Sequence, residues 1–181
     1  TLFRSPRTAY GLLLAAIRCP DPVIVLEPER IYRSFKEDVL DDGQQIELEQ
    51  CLVWRKGTDI TLIAWGAMVQ DCLHAAEQLA QHGIEAEVID VACLKPLDIE
   101  TIINSVALTG RCVIVQEAVK SGGLGSDIAA RLADTAFYAL RAPIKIISPP
   151  DVILPYFKLE QAYLPQVADI VKTSRALMEA S

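Results

Sequence analysis

The sequence predicts an α/β protein built around a mostly parallel sheet, and three observations lead to that prediction. From about residue 59 onward, short apolar runs alternate with amphipathic segments of ten or more residues, as in βαβ units. The apolar runs are nearly continuous, which is typical of strands that are buried on both faces. Of the 181 residues, 51% are hydrophobic and 23% are charged, so the chain can enclose a core.

Residues 1–27 contain one helix and one strand by their pattern. The segment 6–18 predicts a helix that begins at Ser5 and Pro6. Its predicted apolar face consists of Ala9, Leu12, Leu13, Ala16 and Ile17. The run "VIVLE" at 23–27 predicts a short strand buried on both faces. Because one helix and one strand cannot enclose a core, we expect residues 1–27 to be the tail of a preceding domain.

Residues 28–58 differ from the rest of the chain. They are charged and turn-rich, with "DDG" in the middle, which favours a linker followed by a strand near 50–54. We therefore predict a linker at 28–50 and a C-terminal α/β domain at 51–181.

Within that domain, strands and helices alternate regularly. The predicted strands are 59–66, 84–91, 111–117 and 143–148, and the predicted helices are 67–83, 97–110, 127–140 and 166–179. Asp98 is a suitable N-cap, and Gly83 and Gly110 are suitable C-terminal stops. A proline-marked irregular segment, 149–165, precedes the last helix.

Charge and cysteine usage exclude several classes of protein. The formal net charge is -7 and the basic residues form no run, so a nucleic-acid-binding face is not expected. The five cysteines are odd in number, widely spaced and without a CxxC pair, which favours reduced thiols over a disulfide framework or a zinc site. No window has the apolar length of a membrane span, and the first residues do not have the pattern of a signal peptide.

The stretch "EAVKSGGLGSDI" at 117–128 raises the question of phosphate binding, because a glycine loop between a strand and a helix builds many phosphate sites. The register of a dinucleotide fingerprint fails at Ile128, and Asp127 would repel a phosphate. A nucleotide site and a structural or assembly loop are both open readings, and we favour the second. In that reading Gly122, Gly123 and Gly125 are turn residues that let the strand double back into a helix.

The other polar candidates form no complete catalytic set. Glu27, Asp90 and Glu117 follow predicted strands, where α/β folds place their sites, and they are either catalytic or loop-anchoring residues. We favour anchoring. His74 is expected on an exposed helix face, and His82 in the last helical turn, where its charge would be favourable.

Six motifs, read in order, resemble one family. They are "GLLLAAIRCPDPVIVLEPERIYR" (11–33), "GTDITLIAWGAMV" (57–69), "EVIDVACLKPLDIETII" (87–103), "TGRCVIVQEAVKSGGLGSDIAARLAD" (109–134), "APIKIISPPDVILPY" (142–156) and "AYLPQVADIV" (162–171). The chain resembles the beta subunit of thiamine-diphosphate-dependent 2-oxo acid dehydrogenases of the pyruvate or branched-chain type. A fragment of transketolase or of a deoxyxylulose-phosphate synthase is a second reading within the same superfamily.

The resemblance implies a three-layer α/β sheet of the transketolase C-terminal domain type, preceded at 1–27 by a helix-strand remnant of the pyrimidine-binding domain. It implies oxidative decarboxylation with acyl transfer to lipoyl groups, in the bacterial cytoplasm or the mitochondrial matrix. The implied partners are an alpha subunit, a second beta subunit and the dihydrolipoyl acyltransferase core. Thiamine diphosphate and magnesium belong to the full enzyme and are not expected on this chain.

The resemblance also bears on individual residues. The family's activating glutamate would lie upstream of Thr1, so no catalytic or cofactor-binding residue is expected in this chain. Ala16, Cys19 and Asp21 would be potassium ligands through their main-chain carbonyls. The chain departs from many relatives at Ala92, where they have arginine, and at Gln116, where many bacterial ones have histidine.

Overall fold

The computed structural model describes residues 1–34 and 36–180. Phe35, within the predicted linker, and Ser181, at the end of the predicted domain, lie outside the described residues. The strands are β1 (Leu52–Arg55), β2 (Ile60–Ala64), β3 (Ala86–Asp90), β4 (Cys112–Val115) and β5 (Lys145–Ile147). The α-helices are α1 (Pro6–Arg18), α2 (Met68–Ala80), α3 (Ile99–Thr109), α4 (Leu124–Thr135), α5 (Glu160–Tyr163) and α6 (Val167–Glu179). Short 3-10 turns lie at Glu29–Ile31, Phe137–Ala139 and Phe157–Leu159.

The five strands form one sheet in the order β1-β3-β2-β4-β5. The neighbours β2 and β3, β2 and β4, and β4 and β5 are parallel, whereas β1 runs antiparallel to β3 at the edge. This arrangement confirms the predicted α/β class with a mostly parallel sheet. Parallel strands buried on both faces explain why β2 and β4 are continuously apolar or nearly so.

Helices cover both faces of the sheet and enclose two apolar clusters. On one face α2 and α6 pack on the strands, through side chains that include Met68, Cys72, Ala76, Leu79 and Ile170. The first four of these are the face predicted for α2 from its helical period. On the other face α3 and α4 contribute Ile102, Val106, Ile128 and Leu132.

The helix α1 forms where it is predicted, but it buries a different face. A capping box between Ser5 and Thr8 begins it. The predicted face is wrong because Leu13 and Ile17 are exposed, and the buried face consists of Thr8, Gly11, Leu12 and Ala15. The cause is Ile46, whose amide donates to the Gly11 carbonyl at 3.1 Å, so that the linker lies against the glycine.

The strand predicted at 23–27 does not form as a buried strand. Leu26 makes only an isolated parallel bridge with Leu2, and the Ile24 side chain is 76% exposed. A run of apolar residues becomes a buried strand only where neighbouring strands pair with it on both sides. Here the Leu26 amide and the Ile24 carbonyl of this run form backbone hydrogen bonds with Thr1.

The helix after the glycine loop begins earlier than predicted. The sequence predicts 127–140, whereas α4 spans Leu124–Thr135 and a 3-10 turn follows. Gly123 is the N-cap and Gly125 lies inside the first turn. The helical start therefore includes Leu124, Gly125 and Ser126, which the sequence pattern places in the loop. The stops predicted at Gly83 and Gly110 coincide with positive φ angles of 74° and 72°.

Candidate functional site

The sheet has one topological switch point, between β2 and β4. The chain leaves β2 toward β3 on one side and returns to β4 on the other side. In open α/β sheets, ligands bind outside the carboxyl ends of the strands at such a point. The loops that follow β2 and β4 are therefore the first candidates for a functional site.

Arg30, from the predicted linker, lies across this switch point. Its guanidinium contacts Asp71 Oδ2 at 3.0 Å and Glu117 Oε1 at 3.2 Å. Asp71 is in the first turn of α2, after β2, and Glu117 follows β4. The linker thus joins the start of α2 to the loop after β4, and it places a positive charge between two carboxylates of the chain itself.

The glycine loop is organised by the side chain of Gln116, which is fully buried. Its Nε2 donates to the carbonyls of Ala118 at 3.0 Å and Val119 at 2.8 Å. Its Oε1 accepts a hydrogen bond from the Gly125 amide at 2.8 Å. One carboxamide therefore binds both ends of the loop from inside.

Two of the three glycines are required by space and one by backbone conformation. A Cβ at Gly123 would lie 2.4 Å from Gln116 Nε2, and one at Gly125 would lie 2.6 Å from Gln116 Oε1. Only Gly122 has a positive φ, of 68°, and there a Cβ would meet nothing within 4 Å. Beyond their place in the turn, Gly123 and Gly125 therefore make room for Gln116.

Two features of the loop disfavour a bound diphosphate. Three amides at or beside the start of α4 are engaged internally, since Gly123 donates to Lys120, Ser126 to Gly123 and Gly125 to Gln116. Asp127, in the first turn of α4, pairs with Arg131 one turn later at 2.9 Å. Its carboxylate already interacts favourably with the start of the helix and would repel a bound anion.

The three carboxylates that follow predicted strands are not brought together as one catalytic group. Glu27 accepts a hydrogen bond from the Tyr32 hydroxyl, and Glu117 pairs with Arg30. Asp90 accepts a hydrogen bond from the Trp54 indole at 3.1 Å. Each carboxylate anchors a different segment, which agrees with the anchoring interpretation.

Among these three carboxylates, Asp90 is the buried one. It is 1% exposed and lies at the carboxyl end of β3. Burial raises the pKa of Asp90 to about 7, and this outweighs the hydrogen bond from Trp54 and the charge of Arg4, which both lower it.

The residues predicted to bind potassium lie at the C-terminal end of α1 and in the turn that follows. The carbonyl of Ala16 has no helical donor four residues later, because that residue is Pro20 and lacks an N–H. Free carbonyls at a helix C-terminus carry partial negative charge and are suitable for a hard cation. Cys19 and Asp21 also line a cavity of about 460 Å³, together with Ile24, Cys93 and Lys95 among others.

The other candidate side chains do not form a reactive centre. All five cysteines are free thiols, and burial raises the pKa of the Cys51 thiol to about 12, which makes it a poor nucleophile. His74 is exposed and contacts Gln70, as predicted for a polar helix face. Across residues 1–34 and 36–180, no group of three potential metal ligands occurs, and no helix is long and apolar enough to cross a membrane.

Sequence reasoning missed the roles of Gln116 and Arg30. The signal for Gln116 was a polar residue at the end of a continuous apolar strand, directly before a glycine loop. Arg30 gave no signal, because one arginine in a charged linker is indistinguishable from a solvated side chain.

Known proteins resemble this chain in sequence and in fold. Residues 49–170 match the family model of the transketolase C-terminal domain. The pyruvate dehydrogenase E1 component subunit beta of Bacillus subtilis (strain 168) is 43% identical over 175 residues, which cover 97% of this chain and 54% of that protein. The same subunit of Staphylococcus epidermidis (strain ATCC 12228 / FDA PCI 1200) is 43% identical over 174 residues, which cover 96% of this chain and 54% of that protein.

A solved structure described as "Split gene transketolase, inactive beta4 tetramer" superimposes with a TM-score of 0.79 at 29% identity, covering 99% of this chain and 56% of that one. The chain thus spans about half the length of the curated relatives it matches. These matches confirm the resemblance that the six motifs indicate. The chain belongs to the transketolase C-terminal domain family.

Proposed function

We infer that this chain acts as the C-terminal part of the beta subunit in the first component of a thiamine-diphosphate-dependent 2-oxo acid dehydrogenase. That component decarboxylates pyruvate or a branched-chain 2-oxo acid and passes the acyl group to lipoyl groups. The 43% identity to two pyruvate dehydrogenase beta subunits supports this inference and favours it over a transketolase fragment. The chain serves subunit assembly and docking to the acyltransferase core.

The main support for this role is that contacts within the chain occupy the switch point between β2 and β4. Arg30 joins the start of α2 to the loop after β4, and Gln116 accepts a hydrogen bond from the Gly125 amide. The place where an α/β sheet binds its ligand is thus used for contacts within the chain. This supports a domain that holds neither the diphosphate nor a catalytic residue. In the proposed assembly the alpha subunit carries thiamine diphosphate and magnesium.

An exposed apolar segment supports the assembly role. Ile153 is 94% exposed and Tyr156 is 92% exposed, and Val152 and Leu154 beside them are exposed as well. Asp151, at the start of this segment, accepts a hydrogen bond from Ser121 of the glycine loop. The segment and the loop therefore form one surface at the carboxyl edge of the sheet, which would contact another beta chain.

Potassium would bind to the carbonyls of Ala16, Cys19 and Asp21 and would hold the turn after α1. The free Ala16 carbonyl beside Pro20 supports this. In potassium chloride the thermal unfolding midpoint should be higher than in sodium chloride at equal ionic strength. Equal midpoints in the two salts would contradict the site.

Calorimetry tests the separation from the cofactor. Thiamine diphosphate with magnesium chloride, titrated into the folded chain, should give no binding heat beyond dilution, and NAD and ATP should cause no thermal shift. The Arg30→Met variant is the matched control, because it opens the switch point without altering the glycine loop. Tight cofactor binding to the chain itself would overturn the proposed role.

Sedimentation tests the proposed contact between beta chains. The double variant Ile153→Ser and Tyr156→Ser should lower self-association of the chain, since it removes apolar surface that is covered in the assembly. Leu108→Ser is the control, because Leu108 is 64% exposed on α3, outside this segment. Equal association constants for both variants would exclude the segment from the interface.

A further inference from the structure

Arg4 and Asp90 meet around the ring of Trp54. The Arg4 guanidinium carbon lies 3.7 Å from the centroid of the Trp54 ring, and the indole N–H donates to Asp90 Oδ2 at 3.1 Å. The pairing of β1 with β3 is irregular between Val53 and Arg55, so Trp54 sits at a bulge. Bulges redirect a side chain. Here the bulged residue is Trp54, and its indole contacts Arg4 on one side and Asp90 of β3 on the other.

Two atoms of this cluster are buried without a partner. They are Arg4 Nε, which is a donor, and Asp90 Oδ1, which in the carboxylate is an acceptor. A buried polar group without a partner is destabilising. A shift of Arg4 from the ring toward Asp90 would satisfy both groups at once.

The backbone next to Arg4 is bound to the residues after β3. The Leu2 amide donates to the Ala92 carbonyl at 2.8 Å, and the Thr1 hydroxyl donates to the same carbonyl at 2.7 Å. Residues 1–4 therefore run beside the end of the strand that carries Asp90. A change in the contact between Arg4 and Asp90 acts directly on this segment.

We propose that Arg4 and Asp90 form a proton-controlled clasp that fastens residues 1–5 to the edge of the sheet. When Asp90 is ionised, it draws Arg4 into an ion pair that satisfies both buried atoms. When Asp90 is protonated, Arg4 remains stacked on Trp54 and the segment is held more weakly. The proton is exchanged with solvent, and no other covalent bond forms or breaks.

Two thiols interact electrostatically with Asp90, and one carboxylate interacts with Arg4. Cys51 precedes β1 and Cys72 lies on α2, and burial raises the pKa of Cys51 to about 12 and that of Cys72 further. Glu37, from the linker, favours the charged form of Arg4, while burial lowers the pKa of Arg4, which stays charged in proteins. Asp90, with its pKa raised to about 7, is the group that titrates.

The sign of the effect on stability follows from linkage. The folded chain binds the Asp90 proton more tightly than the unfolded chain, where the pKa is 3.8. The free energy of unfolding therefore falls as the pH rises from about 4 to about 7 and is level above that range. Arg4 offsets part of this loss, because its charge favours the ionised carboxyl.

Two readouts test the clasp across a range from about pH 5 to about pH 9. The fluorescence of Trp54, in a Trp65→Phe background, should titrate with a midpoint near pH 7. The protection factor of the Leu2 amide, measured by hydrogen exchange in the unsubstituted chain, should rise about 10-fold above that midpoint, which corresponds to one pKa unit of coupling.

Three substitutions separate the clasp from a purely structural role. Arg4→Met keeps an unbranched, flexible stem without the charge, so the midpoint should move up by about one pH unit and the change in Leu2 protection should be lost. Arg4→Lys should keep the fluorescence midpoint and the change in Leu2 protection. Asp90→Asn should abolish the fluorescence titration and the change in Leu2 protection. The same midpoint in Arg4→Met as in the parent, or Leu2 protection that does not change with pH, would overturn the proposal. If Trp65→Phe perturbs the fold, the hydrogen-exchange measurement still decides.

Discussion

The Gly125 amide donates to Gln116 Oε1 at 2.8 Å, and this bond joins the end of β4 to the first turn of α4. The residues between them form the glycine loop. Because the Gln116 carboxamide also donates to Ala118 and Val119, the loop has an internal polar centre of its own. Its conformation is therefore determined by a side chain and needs no bound ligand.

Replacing Gln116 with leucine should lower the free energy of unfolding by about 3 kcal/mol, since three hydrogen bonds of about 1 kcal/mol each are lost inside the protein. Urea unfolding measures this loss. Gln161→Leu is the matched control, because Gln161 is exposed on α5. If both substitutions cost the same, the loop does not depend on the carboxamide.

Gly125→Ala should destabilise the chain by about 1–3 kcal/mol, because its Cβ would meet Gln116 Oε1 at 2.6 Å. In a Gln116→Ala background the same substitution should cost much less, since the colliding atom is gone. Gly122→Ala should cost about 1 kcal/mol in both backgrounds, because its strain comes from the positive φ alone. A double-mutant cycle from denaturant curves measures the coupling, and strict additivity for Gly125 and Gln116 would contradict the steric account.

The elements that the sequence predicts correctly are those whose pattern is local. Met68, Cys72, Ala76 and Leu79 repeat with the helical period and all face one core, so the buried side of α2 is correct. The buried side of α1 is wrong for the opposite reason. Its packing is determined by Ile46, which lies far along the chain and reaches the helix where Gly11 leaves space.

The candidate site could be predicted only in part, because its contacts also join residues that are distant in the sequence. The glycines are recognisable in the sequence, but their reason for being glycine is the side chain of Gln116, which is visible only in three dimensions. The contact of Arg30 with Asp71 and Glu117 joins three separate segments, and no spacing rule relates them. The division at 1–27, 28–50 and 51–181 stays a prediction.

A buried hydroxyl cluster between β2 and α3 provides another test. Thr61 Oγ1 lies 2.8 Å from both Ser105 Oγ and Thr109 Oγ1, and all three residues are buried. Thr61→Val should lower the free energy of unfolding by about 1–3 kcal/mol, because it leaves the buried Ser105 hydroxyl without its partner, whereas the Thr109 hydroxyl still contacts the Ser105 and Arg111 carbonyls. Thermal and urea unfolding measure the loss. Thr135→Val is the control, because its exposed hydroxyl bonds only the carbonyl of Arg131 within α4, and a comparable loss there would refute the argument.

Arg30→Met should have little effect on global stability and a clear effect on the linker. The Arg30 side chain is 37% exposed, and ion pairs at such exposure contribute up to about 1 kcal/mol. Losing that amount locally raises the open fraction of the linker about fivefold, and proteolysis of an opened segment follows this fraction. Trypsin should therefore cleave after Arg33, which is exposed, about five times faster in the variant. Arg131→Met removes a pair of similar exposure on α4 and should leave cleavage after Arg33 unchanged. Equal cleavage rates in Arg30→Met and the unsubstituted chain would mean that the linker is held over the switch point by something other than Arg30.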